Sequence, residues 1–370
     1  MPVYWSMMVV TLFLGFLGMI LPKRKIYIEG QVIYRVKIGI VLIMAGYVVF
    51  FVGFRDSVLD TGAYIISFNG MPTTFKGILQ YVSLIPTGKG FYMIEGIFKM
   101  LISKQYYAWL MFLALVSCGC LYSVLYKYSI DFPLSAYLFI AETSFTWLLN
   151  GTRQFLAVCI LFIGAEIFLK KGKLWFVLLA FVLATIHTSA IFVAVIAFFI
   201  SKDEIVPKKM ILFIVLTVVG TIYSERVFMF LGSSLDKDYT DTLLSGTGSN
   251  YLRFLVSIVP LVIVFMRLKS VKKIAPPSIC LAINMSLVGA CFNFASIFTN
   301  GILVGRMPIY FTVYNLYLLP WVMKKCFTWH SYKIIKTLCL AFYLVFFYYQ
   351  MEIAWGGLRY VSDFLKISFL

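Results

Sequence analysis

Residues 174–200 decide how the chain crosses the membrane. Their sequence is L-W-F-V-L-L-A-F-V-L-A-T-I-H-T-S-A-I-F-V-A-V-I-A-F-F-I. Its 27 positions exceed the roughly 20 apolar residues that one membrane helix needs, but they are too few for two full helices. His187 lies at its centre, followed by Thr188 and Ser189. The stretch is therefore either one long tilted helix or two short helices that meet at His187.

The distribution of basic residues favours two short helices. With a break at His187, every basic cluster falls on one side of the membrane, and 20 of the 32 Lys and Arg residues lie in short loops there. With a single helix, the basic clusters in 201–209 and 267–273 would face outward, on the side opposite to the earlier clusters. Because Lys and Arg mark the cytoplasmic side of membrane proteins, we expect the broken arrangement. The inner loops are then 22–37, Lys127, 170–173, 201–209, 267–273 and 324–336.

The composition supports a membrane protein. Hydrophobic residues make up 62% of the chain and charged residues 13%, and the mean hydropathy is +0.95. A soluble domain carries about 25% charged residues, so these values exclude a soluble enzyme, a disordered chain and a secreted disulfide scaffold. The net charge of +17 comes from short basic runs between apolar stretches, which indicates membrane topology rather than nucleic-acid binding.

The predicted fold is an all-α, polytopic integral membrane protein that forms a single domain over residues 1–370. Ten further apolar stretches and the broken pair give about twelve membrane segments, with both termini outside. Some of these segments are short or re-entrant. Short helices end inside a membrane only where they line a watery cavity, so we expect an outward-facing cavity. The ten stretches are 2–21, 36–53, 106–126, 132–149, 155–169, 210–230, 251–266, 278–299, 307–323 and 334–350.

Two outer loops are long. Loop 54–105 contains the apolar stretch 91–103, in which Glu95 and Lys99 are spaced i,i+4, and this pattern predicts a helix lying in the membrane interface. Loop 231–250 is rich in Ser, Gly, Asp and Thr, which indicates a flexible external loop.

Polar residues at membrane depth or at the outer ends of spans are the candidate site residues. Arg55, Asp60 and Tyr64 follow one span in R-D-S-V-L-D-T-G-A-Y. In N-G-T-R-Q, residues 150–154, a glycine turn places an arginine at a helix N-terminus, where the dipole favours an anion and the guanidinium can fork two phosphate oxygens. The candidates in this turn are Asn150, Arg153 and Gln154.

The remaining candidates lie further along the chain. His187 and Ser189 lie at the predicted break, where a role near the chemistry is expected. Arg306 lies at another outer turn, and Glu142 is a potential partner for one of the cations.

Three arginines facing one external cavity suggest a ligand with several phosphate oxygens. A lipid diphosphate fits, because its tail stays in the bilayer, and its departure as a leaving group requires cationic stabilisation. The attacking hydroxyl needs a base, and either His187 or Asp60 could serve. No cofactor or metal is expected, since the chain has two histidines and no zinc-binding spacing. Asp236-Lys237-Asp238 resembles a metal-binding D-x-D motif, but we interpret it as part of a solvated loop.

The ordered motifs resemble those of the EpsG family of bacterial exopolysaccharide polymerases, which are Wzy-type proteins. The resemblance runs over roughly residues 1–350 and rests on short motifs in the same order and spacing. They are R-D-S-V-L-D-T-G-A-Y (55–64), N-G-T-R-Q-F-L-A (150–157), the basic K-K-G-K turn (170–173), A-T-I-H-T-S-A (184–190) and R-M-P-I-Y-F (306–311).

This resemblance implies a membrane glycosyltransferase on the outer face of the bacterial cytoplasmic membrane. It would join undecaprenyl-diphosphate-linked repeat units into exopolysaccharide or capsule, with a flippase and a chain-length regulator as partners and without metal or nucleotide. By position, Arg55, Arg153 and Arg306 would hold diphosphate, and Asp60 or His187 would activate the acceptor hydroxyl. Asn150, Gln154 and Tyr64 would position sugar, and Glu142 and Ser189 are the further candidates for this role.

Three other activities remain open. A ligase would use the same lipid donor but a non-lipid acceptor, and only its products distinguish it from a polymerase. A flippase or exporter of about twelve spans usually shows two related halves, and none is detected. A membrane acyltransferase would need a catalytic histidine that its acyl donor can reach, and the presence of His187 alone does not exclude this activity.

Overall fold

The computed structural model of the protein describes residues 2–224, 226, 248–299, 301, 304–355 and 358–368. The chain forms two compact units. Unit 1 comprises Met1–Ala194 and Thr328–Leu370, and unit 2 comprises Val195–Phe327. Both are helical, and the strands among the described residues form short two-stranded hairpins. Most of the predicted flexible loop 231–250, including Asp236-Lys237-Asp238, lies outside the described residues. The prediction of a single domain stays a prediction.

Unit 1 is a bundle in which neighbouring helices pack side by side. The pairs in contact include α1 with α7, α2 with α6, α6 with α8, and α8 with α9. The elements are α1 (Pro2–Ile20), β1 (Arg24–Ile28), β2 (Gln31–Arg35), α2 (Ile38–Gly53), α3 (Thr61–Gly70), α4 (Phe75–Leu84), α5 (Lys89–Leu101), α6 (Tyr106–Tyr128), α7 (Phe132–Ala141), α8 (Thr152–Lys171), α9 (Lys173–Ala184), α10 (Ile191–Ile196, which crosses the boundary between the units), α17 (Trp329–Tyr348), β3 (Val361–Ser362) and β4 (Ile367–Ser368).

Unit 2 contains a second helical cluster. In it α14 packs against α11, α12 and α15, while α16 packs against α12. Its elements are α11 (Lys208–Ile222), α12 (Tyr251–Met266), α13 (Leu268–Ile274), α14 (Pro277–Phe298), α15 (Ile309–Thr312) and α16 (Asn315–Cys326). A short 3-10 turn, Val304–Arg306, precedes α15.

Several helices are long and apolar enough to cross a membrane. In the described part of the chain, five meet this criterion, or six if α12 and α13, which are bent by 83°, count as one span. The five are Pro2–Ile20, Tyr106–Tyr128, Thr152–Lys171, Pro277–Phe298 and Trp329–Ala354. The all-α membrane fold is thus present, but the predicted number of about twelve segments is not confirmed.

Breaks inside apolar stretches explain much of this difference. Predicted span 132–149 is divided at Thr143, whose backbone is left-handed (φ 59°), into α7 and the 3-10 turn Ser144–Leu148. In stretch 174–200, α9 ends at Ala184 and His187 has an extended backbone (φ −143°, ψ 117°). The predicted break at His187 is therefore present, with α10 beginning four residues later.

One end of unit 1 collects basic loops. The Arg35 Nη2 atom donates to the Lys127 carbonyl oxygen at 2.6 Å, and the Lys127 ammonium lies 2.5 Å from Glu166. Lys336 of α17 pairs with Asp131. Loops 22–37, 127–131, 166–173 and 328–336 thus meet at this end, which we call the basic end.

The opposite end of unit 1 is closed by the β3–β4 hairpin. The Asp56 amide donates to the Val361 carbonyl at 2.9 Å, and the Asp56 carboxylate accepts from the Asp363 amide at 2.5 Å and from the Tyr106 hydroxyl. The Tyr360 hydroxyl donates to the Phe51 carbonyl at 2.8 Å. The segment just after α2 is therefore fixed in place, and the candidate site lies at this end.

Candidate functional site

The start of α8 is capped by α3. Gly151 has φ +77°, and a Cβ atom there would lie 3.2 Å from the Trp147 ring, so the turn requires glycine. The Asp60 carboxylate accepts from the Gly151 amide at 3.1 Å, and the Tyr64 hydroxyl accepts from the Arg153 amide at 3.2 Å. The anion that the helix dipole favours at this terminus is thus Asp60 itself.

Arg55 is completely buried. Its Nε donates to Thr61 Oγ1 at 2.9 Å, Nη2 to Thr152 Oγ1 at 3.2 Å and Nη1 to the Val52 carbonyl at 2.5 Å. Burial lowers the pKa of the guanidinium to about 10, so the group stays charged at neutral pH. In this conformation Arg55 is inaccessible to a diphosphate, and it connects the end of α2 with α3 and α8.

Arg153 is only partly buried and is held by aromatic side chains. Its guanidinium carbon lies 5.6 Å from the ring centre of Phe91 and 5.5 Å from that of Tyr92, and its Nη1 donates to the Tyr92 hydroxyl at 3.2 Å. The ion pairs among the described residues do not include Arg153. Arg153 therefore forms no direct ion pair in the described part of the chain, and its charge acts on the Glu95 carboxyl only electrostatically.

The start of α5 brings Arg153 close to the break at His187. Gly88 has φ +76°, and a Cβ atom there would lie 3.2 Å from Arg153 Nη1 and 3.3 Å from the Ile186 carbonyl oxygen, so these two atoms flank one point. The Gly90 amide donates to the Thr185 carbonyl at 2.8 Å. The cation and the segment that carries His187 are thus neighbours.

His187 is partly buried and its ring is oriented by Ser189. The Nδ1 atom of His187 lies 2.6 Å from the Ser189 hydroxyl oxygen, at the start of the 3-10 turn Thr188–Ala190. If Nδ1 carries the proton and donates to Ser189, Nε2 has the lone pair that a general base needs. Because the backbone leaves the helix at this break, the His187 imidazole is not confined to a helix face.

Helix α5 is anchored to α3 by two buried charged side chains. The Lys99 ammonium donates to the carbonyls of Phe68, Asn69 and Met71 at 2.7–2.8 Å, at the end of α3. The Glu95 carboxylate accepts from Ser67 at 3.0 Å, and its second oxygen has no hydrogen-bond partner among the described residues. The helix predicted in 91–103 is present, but Glu95 and Lys99 face α3 instead of forming an exposed pair.

Glu95 makes stability depend on pH. Burial raises the pKa of its carboxyl from 4.5 to about 7, although Arg153 and Lys99 oppose the shift. The folded state therefore retains a proton that the unfolded state loses, so stability falls as pH rises from about 4.5 to about 7 and is level above that range. The loss is on the order of 3 kcal/mol. Glu95→Gln, which keeps the bond to Ser67, should remove this dependence.

Thermal unfolding in detergent from pH 5 to pH 8 measures this effect. The wild-type midpoint should fall across the range more steeply than that of Glu95→Gln, while Glu29→Gln, at an exposed carboxylate, should follow the wild type. Parallel curves for wild type and Glu95→Gln would contradict the assignment.

The match to a known family comes from most of the chain. The family model described as EpsG family matches residues 38–355. This chain belongs to the EpsG family. No curated protein and no solved structure gives a significant match. The matched region runs from the start of α2 past the end of α17 and includes every candidate residue named above. Membership of the EpsG family supports a role of the polysaccharide-polymerase type and a location in a membrane.

The other predicted site residues of this EpsG-family chain have surroundings of their own. Glu142, at the end of α7, is hydrogen-bonded to Tyr343 of α17 and not to a predicted cation. Gln154 is buried, and Asn150 closes the turn before α8 through its amide, which donates to Thr146. Arg306 lies in unit 2, in the turn before α15.

Sequence reasoning overlooked the residues of the EpsG-family chain that surround Arg153. Phe91 and Tyr92 lie in the stretch that predicts an interfacial helix, and Gly88 ends the preceding loop. The signal available in the sequence was a glycine, Gly88, directly before an amphipathic helix. Within the described ranges, no group of three or more His, Cys, Asp or Glu side chains could hold a metal ion.

Proposed function

We propose that this EpsG-family protein polymerises lipid-linked oligosaccharide repeat units on the outer face of the cytoplasmic membrane. The donor is a glycan on undecaprenyl diphosphate, and the acceptor is a sugar hydroxyl of another lipid-linked unit. The observation that carries this proposal is the Arg153 guanidinium, which has aromatic neighbours but no carboxylate partner among the described residues and lies beside the His187 segment.

Arg153 supplies the cationic stabilisation that the reaction needs. When the bond between the anomeric carbon and the phosphate oxygen breaks, the diphosphate leaves with the electron pair and gains negative charge. A guanidinium binds two phosphate oxygens through parallel N–H donors, and its interaction strengthens as that charge develops. No proton needs to be delivered to such a leaving group.

His187 is the base that we assign to the acceptor hydroxyl. The hydroxyl oxygen bonds to the anomeric carbon, and its proton passes to His187 Nε2. Of the two candidate bases, Asp60 accepts from the Gly151 amide at the start of α8. We therefore assign Asp60, Tyr64 and Arg55 the role of holding the α8 turn. Ser189 orients the His187 ring, and Asn150 and Gln154 remain predicted sugar contacts.

The charges of unit 1 support the proposed sidedness. The predicted cytoplasmic loops that belong to unit 1 meet at its basic end, whereas Arg153 and His187 lie with the ends of α2 and α9 that are remote from those loops. By the positive-inside rule this remote end faces outward. Lipid-linked units that have crossed the membrane would reach it with their tails in the bilayer. Arg306 stays a predicted diphosphate ligand that the same assay can test through Arg306→Ala.

The test is to incubate purified protein in liposomes with one lipid-linked repeat unit and no nucleotide sugar. A polymerase gives a ladder of products that differ by one repeat, and the ladder should persist with EDTA. A single shifted band that requires an added non-lipid acceptor would indicate a ligase. Movement of the unit across the bilayer without covalent product would indicate a flippase, and either result would overturn the proposal.

A further inference from the structure

The aromatic side chains of α5 restrict how Arg153 can be oriented. Tyr92 contacts the guanidinium twice, through its ring at 5.5 Å and through its hydroxyl, which accepts from Nη1 at 3.2 Å. Phe91 lies beside the same group, and its ring meets that of Tyr92 edge to face at 5.6 Å. An arginine on aromatic faces keeps its charge, and its remaining donors point along the guanidinium plane.

The position of Tyr92 is fixed by contacts that do not involve Arg153. About one and two turns further along α5, Glu95 is bonded to Ser67 and Lys99 is bonded to the end of α3. At the start of the helix, the Gly90 amide donates to the Thr185 carbonyl. The backbone of Arg153 is fixed in turn by the Tyr64 hydroxyl. Both partners of the Tyr92–Arg153 hydrogen bond are thus placed before any substrate arrives.

We propose that Tyr92 is a positioning residue that preorganises Arg153 for the diphosphate of the lipid-linked donor, an inference that rests on the proposed function. A free arginine loses rotamer freedom when it binds a phosphate, and this loss weakens binding. Tyr92 restricts the rotamers of Arg153 before the diphosphate binds, so binding itself carries a smaller entropic cost. Its hydroxyl occupies one donor of Nη1, so that the other donors of the fork are directed to phosphate oxygens. Tyr92 acts through Arg153 and does not contact the reacting atoms.

A double-mutant cycle on diphosphate binding tests this inference. The probe is farnesyl diphosphate, which has the diphosphate and an isoprenoid chain but no sugar, and its affinity for purified protein in detergent is measured. Tyr92→Phe should weaken binding about 5-fold by removing one hydrogen bond. Tyr92→Leu should weaken it about 30-fold by also removing the ring. Tyr81→Phe is the matched control, because the Tyr81 ring lies 6.3 Å from that of Tyr92, and it should bind as wild type.

The decisive variant combines Tyr92→Phe with Arg153→Ala. If Tyr92 acts through Arg153, the double variant binds like Arg153→Ala alone, because the hydroxyl has lost the guanidinium through which it acts. A merely structural role of Tyr92 would instead weaken both backgrounds by the same factor. Equal factors, or wild-type affinity of Tyr92→Phe, would overturn the inference. Thermal midpoints of all variants are measured in parallel to identify any loss of folded protein.

This assay separates the inference from the proposed function. If the cycle shows coupling but no ladder forms from lipid-linked repeats, the polymerase proposal fails while Tyr92 keeps its role toward a diphosphate. If the ladder forms but Tyr92→Phe and Arg153→Ala act independently, the inference fails alone. If wild-type protein does not bind the probe, the diphosphate site itself is refuted and both fail.

Discussion

Arg153→Ala should reduce the initial rate of ladder formation about 100-fold or more, within the range found when a group that stabilises transition-state charge is removed. The variant loses the one guanidinium of unit 1 that is partly exposed and lies beside the His187 segment. Since the α8 turn is held by Asp60, Tyr64 and Arg55, the protein should remain folded. The measurement is the rate of chain extension in liposomes that contain a single lipid-linked repeat.

Two further variants define what Arg153 contributes. Arg153→Lys keeps the charge but loses the planar fork, so the rate should fall about 10-fold. Arg359→Ala removes an exposed arginine of the same unit and should leave the rate unchanged. Extension by Arg153→Ala at the wild-type rate would refute the diphosphate site as assigned.

His187→Ala should slow chain extension by about 100-fold to 10,000-fold, which is the usual contribution of a positioned general base. The alanine leaves room beside Ser189, so added imidazole should restore part of the rate. Binding of farnesyl diphosphate should change little, because Arg153 is intact. The extension rate with and without imidazole, together with probe affinity, measures these effects.

The controls for His187 use the other candidates in the chain. His330→Ala, at the exposed second histidine in α17, should have no effect. Asp60→Asn can still accept from the Gly151 amide, so it should retain most activity. If instead Asp60→Asn abolished extension while His187→Ala did not, Asp60 would be the base.

The helices were largely predictable because each apolar stretch is long enough to form a helix. Every predicted span in the described part contains a helix, and the break at His187 was inferred from length and charge. The number of complete spans was not predictable. Whether a stretch such as 132–149 remains one helix depends on the left-handed backbone of Thr143, and its apolar composition does not encode that conformation.

The sequence predicted only those site residues whose role depends on neighbours close to them in the chain. The turn before α8 identified Arg153 because its signal is local. The burial of Arg55 depends on Thr61 and Thr152, and the latter is 97 positions away. The contacts of Asp60 and Tyr92 with the α8 turn likewise depend on how α3 and α5 pack. Such long-range contacts leave no pattern in a single sequence.

The β3–β4 hairpin has a consequence for how the protein is made. Asp56 is bonded to Asp363, 307 positions later in the chain. During translation, the segment that carries Arg55 and Asp60 leaves the ribosome long before its partners in the hairpin. This end of unit 1 is therefore unfinished until residues 360–363 have been synthesised, and a nascent chain released before them would lack the closure that fixes the α2–α3 connection.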